Sequence, residues 1–194
     1  MDAIALIRQD HREVERLFKQ LEKAGPRAHK TRRNIADKVI KELSVHAAIE
    51  EQVFYPAIRE AVEETEDTVL ESLEEHHIVK WTLSELDGMD PEAERFVPKM
   101  TVLMESVRHH VEEEEDELFP EVREALSRKQ LAELGEVMEE AKKTAPTRPR
   151  PHAPDTPPGN LVAGAGAAVL DKARDAVKEG RKRAAKKTAA KSRR

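Results

Sequence analysis

The stretch HAAIEE at residues 46–51, followed by Pro56, recurs as HVEEEE at residues 110–115, followed by Pro120. In both copies a histidine precedes one carboxylate by four residues, a second carboxylate by five and a proline by ten. A histidine and a glutamate four residues apart lie on one face of a helix, about one turn apart, so both can bind one metal ion. Two such pairs in one chain predict a two-metal site built on helices.

Apolar residues recur every three or four positions along the chain, which indicates an all-α protein. The first helix should span residues 2–23, the second should carry His46 and bend or restart near Gln52 because of Pro56, and the third should span residues 65–87. Asp90-Pro91 has the pattern of a helix start, so we expect the fourth helix to begin there. Ser127 to Gln130 has the spacing of a capping box and predicts a short fifth helix that ends near Thr144.

The repeat extends beyond the two quoted stretches. Asp10-His11 and the apolar residues after it match Glu75-His76 at an offset of 65 residues, and His46 matches His110 at an offset of 64. Helices one and two therefore resemble helices three and four, which predicts an up-down four-helix bundle made of two related hairpins. In such a bundle the four histidines can meet at one level of the core.

The composition limits the kinds of site and location. The chain has no cysteine, so any metal must be bound by nitrogen and oxygen atoms, which suits iron or manganese better than structural zinc. No apolar run approaches the length of a membrane span, and the first ten residues lack the features of a signal peptide. We therefore expect a cytoplasmic protein.

Charge divides the chain into an acidic body and a basic tail. Residues 142–194 carry fifteen Lys or Arg and four Asp or Glu, whereas residues 1–141 carry nineteen and thirty-five. We expect the bundle to occupy residues 1–145, an extended proline-rich linker residues 146–160, and an Ala/Lys/Arg-rich, largely disordered tail residues 161–194. The basic run at residues 181–194 could bind DNA non-specifically, with association with the nucleoid, or fold back onto the acidic body.

Four histidines and two glutamates on apolar helical stripes favour a metal centre. A single buried histidine is usually a neutral imidazole bonded to a neighbour, but two buried carboxylates on the same faces need a cation to compensate them. Glu51 and Glu115 belong by default to a solvated acidic face, and together with His77 and His109 they remain alternative ligands. A ferritin-like centre would need a Glu-x-x-His pair on each of two helices, and only Glu74-x-x-His77 is present.

Six short motifs follow one another in a specific order along the first two thirds of the chain: Asp10-His11-Arg12-Glu13, His46-x3-Glu50-Glu51, Phe54-Tyr55-Pro56, Glu75-His76-His77, His109-His110-x3-Glu114 and Leu118-Phe119-Pro120. With these motifs the chain resembles the haemerythrin-type HHE cation-binding domain over roughly residues 1–126. The resemblance implies a four-helix bundle with two non-haem iron ions, for which Mn or Zn could substitute. The implied metal ligands are His11, His46, Glu50, His76, His110 and Glu114, with the two glutamates as bridging carboxylates.

The resemblance also implies chemistry with O₂ or hydrogen peroxide. Oxygen-carrying haemerythrins pair two histidines one turn apart on the third helix, a pair that this chain lacks, and their last carboxylate corresponds to Glu115 rather than Glu114. Fewer histidine ligands leave more open iron positions, which favours reactive or sensing chemistry over reversible oxygen carriage. The expected function is oxidative-stress or iron and oxygen handling. If the protein is an enzyme, it should consume peroxide; the alternative is a non-catalytic sensor or store of oxygen or iron.

Overall fold

The computed structural model describes residues 1–62, 65–156 and 159–160, and no β-strand occurs among them. Seven α-helices and two five-residue π-helical segments follow one another between residues 3 and 144 of the described ranges, in agreement with the all-α prediction. They are α1 (Ala3–Glu22), α2 (His29–Ile49), π1 (Glu50–Phe54), α3 (Tyr55–Ala61), α4 (Glu66–Leu86), α5 (Phe96–Glu113), π2 (Glu114–Leu118), α6 (Phe119–Ala125) and α7 (Arg128–Thr144). The helix α1 packs on α2 and α4 packs on α5, which gives the two predicted hairpins of the bundle.

Two apolar clusters fill the bundle, one on each side of a layer of histidines. One cluster contains residues such as Ile4, Ile7 and Ile49, and the other contains residues such as Val14, Leu43 and Leu83. Each buried histidine is set into its helix between members of the two clusters, as His11 is between Ile7 and Val14. Burial of these side chains is the main favourable contribution to folding, and it fixes the depth at which the polar layer lies.

A π-helical turn that begins at the glutamate of the repeated His-x3-Glu pair interrupts the second helix of each hairpin. The Tyr55 N–H donates to the Glu50 carbonyl five residues back, and the second copy has the same arrangement after Glu114. Pro56 lacks an N–H and would clash with the carbonyl four residues before it in a regular α-helix. It lies instead in the first turn of α3, where that N–H is not needed. The predicted restart near Gln52 therefore occurs at Tyr55, after one widened turn.

The start of α5 differs from the prediction. The Asp90 carboxylate accepts a hydrogen bond from the Glu92 N–H at 2.9 Å, which closes a local turn. Residues 91–95 continue as turns, and the helix begins at Phe96, whose ring is buried. Aspartate side chains stabilise turns by this bond as readily as they cap helices, so Asp90-Pro91 begins a turn rather than a helix.

The fifth predicted helix, α7, begins after Ser127 and ends at Thr144, as expected. Its capping box is confirmed, because Ser127 and Gln130 exchange side-chain and backbone hydrogen bonds, and the 17-residue helix packs against α1 and α2. At Gly135 it meets the beginning of the chain so closely that a Cβ atom would lie 2.2 Å from the Met1 carbonyl oxygen. Glycine at this crossing therefore permits contact between α7 and the first residues of α1.

The described part of the proline-rich segment lies against the bundle. Pro146, Thr147 and Arg148 are buried, and the Asn160 side-chain N–H donates to the Glu51 carbonyl at 3.1 Å. Residues 161–194, with the predicted basic tail, lie outside the described residues. No helix in the described part of the chain has the length and apolarity needed to cross a membrane.

Candidate metal centre

Four buried histidines, one from each long helix, point their Nε2 atoms toward the same small volume. The His46 Nε2 atom lies 3.2 Å from a Glu50 oxygen, and the His76 Nε2 atom lies 3.4 Å from that same oxygen. The Nε2 atoms of His11 and His110 lie 3.3 and 3.8 Å from a Glu114 oxygen. The structure therefore brings together all six side chains that the sequence predicted as ligands.

Their donor atoms form two overlapping groups, each compact enough to surround one cation. Within each group the possible ligand atoms lie within 4.8 Å of one another. One group is His11, His46, Glu50 and Glu114, and the other is Glu50, His76 and His110. Because Glu50 belongs to both groups, it has the position of a bridging carboxylate between two neighbouring cations.

The Glu50 carboxylate is completely buried, and neither of its oxygens accepts a hydrogen bond. A Glu114 oxygen and the His11 Nε2 atom are also buried without a hydrogen-bond partner. Burying a polar group that makes no hydrogen bond costs several kcal/mol, and burying an ionised carboxylate without a partner costs more. A cation between these atoms would satisfy all of them, so the donor set fits divalent iron or manganese.

Burial and mutual repulsion alter the protonation of these groups in the metal-free protein. Burial, together with the charges of Glu114 and Asp10, raises the pKa of Glu50 well above its ordinary value. Burial and the neighbouring histidines hold the pKa of His46 well below its ordinary value. His46 is therefore a neutral imidazole with a lone pair, which is the form that binds metals.

The other ring nitrogen, Nδ1, of each histidine faces a carboxylate. His11 Nδ1 lies 2.8 Å from Glu115, His76 Nδ1 lies 3.1 Å from Glu51, and His110 Nδ1 lies 2.7 Å from Glu75. His46 Nδ1 lies 3.9 Å from Asp10, beyond hydrogen-bond distance. A carboxylate at Nδ1 favours the tautomer whose Nε2 lone pair points inward, and metal-binding histidines usually have such a partner.

Glu51 and Glu115, which the sequence left as alternative ligands, are thus placed behind the histidines. Asp10 and Glu75 have the same role, which was not predicted from the sequence. A signal was available, because an acid precedes the histidine in both copies of the repeat, at Asp10-His11 and Glu75-His76. Sequence spacing identifies the helical face of an acid but not the histidine opposite it on another helix.

Tyr55 makes a second contact that helical spacing in the sequence did not reveal. Its buried hydroxyl donates a hydrogen bond to Glu114 at 3.0 Å and lies 3.5 Å from the His76 Nε2 atom. Burial and the charges of Glu114 and Glu50 raise the pKa of Tyr55 well above its ordinary value, so the hydroxyl keeps its proton. The equivalent residue in the second copy is Phe119, which stacks on the His11 ring at 6.2 Å. The two halves of the site are therefore chemically unequal.

The remaining histidines of the bundle do not join the buried layer. His77 and His109 are exposed on α4 and α5, because each is one residue away from a buried histidine and therefore points to another side of its helix.

A cavity of about 270 Å³ lies against the layer of buried histidines. Its walls are the four buried histidines and mainly apolar side chains, among them Val14, Leu43, Val79 and Val107. A small, weakly polar molecule fits such a space.

Comparisons with known proteins agree with this architecture. The family model of the hemerythrin HHE cation-binding domain matches residues 2–122. An uncharacterised hemerythrin-like protein of Schizosaccharomyces pombe is 32% identical over 86% of this chain and 82% of its own length. A protein of Nostoc named as a DNA nickase is 29% identical over 71% of this chain, which spans 38% of that relative.

A solved structure gives the same fold. The crystal structure of a hemerythrin HHE cation-binding domain-containing protein from Mycobacterium kansasii superposes with a TM-score of 0.62 at 23% identity. The match covers 74% of this chain and 86% of that one. With the family model matching more than half of its length, this chain belongs to the hemerythrin HHE cation-binding domain family.

Proposed function

We propose that the protein binds two iron ions in the histidine layer and uses them to react with O₂ or hydrogen peroxide. The ligands would be His11, His46, Glu50 and Glu114 for one ion and Glu50, His76 and His110 for the other. The observation that carries the proposal is the Glu50 carboxylate, which is completely buried, accepts no hydrogen bond and lies among four imidazoles. Manganese or zinc, which accept the same donor atoms, could substitute.

Iron held there would supply the redox chemistry, passing electrons to O₂ or peroxide; over many turnovers with peroxide alone, the electrons come from a second peroxide molecule, which leaves as O₂ while the first leaves as water. The residues of the chain provide the surroundings for that chemistry. The carboxylates at Nδ1 orient the imidazoles, and the apolar walls of the adjoining cavity exclude bulk water. The Tyr55 hydroxyl holds a proton beside Glu114, on the side of the layer nearest His76. These features support a peroxide-consuming oxidoreductase, with oxygen or iron sensing or storage as the alternative.

Metal analysis of the iron-loaded protein tests the binding proposal. We expect two iron ions per chain in the native sequence and a loss of both when His46→Ala and His110→Ala are combined. The matched control is His77→Ala, because this histidine is exposed on α4 next to a ligand. Unchanged iron content in the double variant would contradict the proposal.

Rapid-mixing absorption spectra of the reduced, iron-loaded protein distinguish the two chemistries. Rapid loss of excess peroxide over many turnovers supports the enzyme. A persistent absorption band that appears with O₂ and disappears on its removal supports the sensor or store. Tyr55→Phe should slow peroxide loss in the first case and leave the iron content unchanged.

We propose DNA association as a second function, carried by the basic residues of the tail. The run at residues 181–194 has eight Lys or Arg and no acid, and one relative is named as a DNA nickase. Phosphate contacts by such residues release counterions, so binding should weaken steeply as salt increases. Association with DNA would place the protein in the cytoplasm, at the nucleoid.

A gel-shift series tests this second function. The full chain should retard duplex DNA at low salt, and a chain that ends at Asn160 should not. Truncation there keeps the contact between Asn160 and Glu51. Equal retardation of the DNA by both proteins would refute a role for the tail.

A further inference from the structure

The four carboxylates behind the histidines do not have equivalent neighbours. Three of them also contact a basic side chain. Lys142 Nζ lies 2.6 Å from Asp10, Lys80 Nζ lies 2.8 Å from Glu51, and Arg8 Nε lies 3.2 Å from Glu115. Each of these three acids therefore lies between an imidazole and a positively charged side chain.

Glu75 is the exception. One of its oxygens lies 2.7 Å from the His110 Nδ1 atom, but no lysine or arginine within the described ranges comes within ion-pair distance of it. By the internal repeat, Glu75 corresponds to Asp10, whose cation comes from α7. Within the described ranges no helix packs beside the second hairpin as α7 packs beside the first, and no lysine or arginine of those ranges reaches Glu75.

Two potential metal ligands lie at this position instead. His109 and Glu113 are one turn apart on α5, with the His109 Nε2 atom 3.2 Å from a Glu113 oxygen. Each of these residues and Glu75 offers a donor atom within 4.8 Å of the other two. The donors come from two helices, α4 and α5, whose packing fixes their separation.

We infer that Glu75, His109 and Glu113 bind a divalent transition-metal cation, of the class represented by Zn²⁺, at the surface of the bundle. The cation would stand where a lysine or arginine stands beside the other three carboxylates. One imidazole nitrogen and two carboxylate oxygens suit such an ion, and water can complete its coordination because His109 is 64% exposed.

The position of Glu75 gives this cation an effect on the buried layer. Glu75 would bind the surface cation through one oxygen and hold the His110 imidazole through the other. Filling the surface site would therefore fix the orientation of His110 and its Nδ1 partner. This consequence rests on the proposed role of His110 as a metal ligand, whereas the surface site itself rests only on the arrangement of the three side chains.

Calorimetric titration of the iron-loaded full chain with Zn²⁺ tests the surface site. We expect one saturable equivalent of Zn²⁺ in addition to the bound iron. His109→Gln and Glu113→Gln should each weaken it by about tenfold or more. The matched control is His77→Gln, which removes another exposed imidazole, from α4, and should leave the titration unchanged. Absence of the extra equivalent, or its persistence at full affinity in His109→Gln, would overturn the inference.

The surface site can be tested independently of the buried metal centre. In a His46→Ala variant the buried groups lose a ligand, but the three surface side chains are untouched, so the extra Zn²⁺ equivalent should remain. Zn²⁺ should also shift the nitrogen resonances of the His110 ring in the native protein and not in His109→Gln. A shift of equal size in both proteins would contradict the link between the surface cation and His110.

Discussion

The buried Glu50 side chain is destabilising without a cation, because its oxygens accept no hydrogen bond and its raised pKa means that folding must either desolvate a charge or take up a proton. We expect Glu50→Gln to stabilise the metal-free protein by about 1–3 kcal/mol, because the amide has the same shape and no charge to desolvate. The same change should abolish binding of at least one cation. Urea unfolding of the metal-free protein and metal analysis of the loaded protein measure the two effects. Destabilisation of the metal-free protein would show that its Glu50 charge is already compensated.

Tyr55 gives a second prediction for a single residue. Tyr55→Phe removes the hydrogen bond to Glu114 but not the ring, and phenylalanine occupies the equivalent position in the second hairpin. A hydrogen bond to a charged group contributes about 1.5–3 kcal/mol, and we expect a loss of that size in the metal-free protein. Phe54→Leu, a substitution of a neighbouring buried ring, serves as a control for packing. A free energy of unfolding unchanged by Tyr55→Phe would contradict this contribution.

The six predicted ligands could be proposed from the sequence because each lies on the apolar stripe of its own helix, and each glutamate lies four residues after a histidine. His46 and Glu50 show why: positions four residues apart must share a face, and a charged residue on a buried face needs a partner. The Nδ1 partners and Tyr55 could not be found in this way. Their contacts cross from one helix to another, and helical periodicity carries no information about the register between helices.

For whole elements, the sequence predicted where an α-helix must be interrupted but not how. Pro56 and Pro120 exclude a regular helix around them, and the structure accommodates each with a π-helical turn rather than a break. The predicted start of α5 was wrong because the Asp90 carboxylate can either close a turn or cap a helix. Packing of Phe96 into the apolar cluster decides between these conformations.

The contact between α1 and α5 gives a prediction that depends on pH. Arg108 on α5 bonds Glu15 and Glu22 on α1 at 3.0 and 2.9 Å, beside the cavity. Burial tends to raise the pKa of Glu15, but the hydrogen bond and charge of Arg108 outweigh it and hold that pKa below 4.5. The stabilisation is therefore fully present above about pH 4.5 and lost as the pH falls through the lower pKa of the folded state.

We accordingly expect Arg108→Gln to lower the free energy of unfolding by less than about 1 kcal/mol near neutral pH, because the pair is partly exposed. The difference from the native protein should disappear in acid and shrink in high salt. Urea unfolding at several pH values measures it, with Arg123→Gln, an exposed arginine on α6, as the control. A difference that persists at pH values where Glu15 is protonated would mean that Arg108 acts through packing on Phe18 instead.

At the scale of the whole molecule, each hairpin provides a carboxylate that contacts a buried histidine of the other hairpin. Glu51 of the first hairpin holds His76 of the second, and Glu115 of the second holds His11 of the first. Neither hairpin alone contains a complete set of ligands with their Nδ1 partners. Cation binding should therefore require both hairpins to be folded and correctly packed, which links metal binding to the stability of the entire body.

Removing the metal should consequently destabilise the bundle as one unit. A ligand that binds only the folded state at about 100 times its Kd stabilises that state by about 2.7 kcal/mol. For a body of this size, that corresponds to a decrease in Tm of about 5–10 °C when the iron is chelated. Scanning calorimetry with and without chelator should show one transition that shifts as a whole, and the Tm of Glu50→Gln should respond much less. Two separate transitions, or a Tm that does not respond to chelation in the native protein, would show that the hairpins unfold independently of the metal centre.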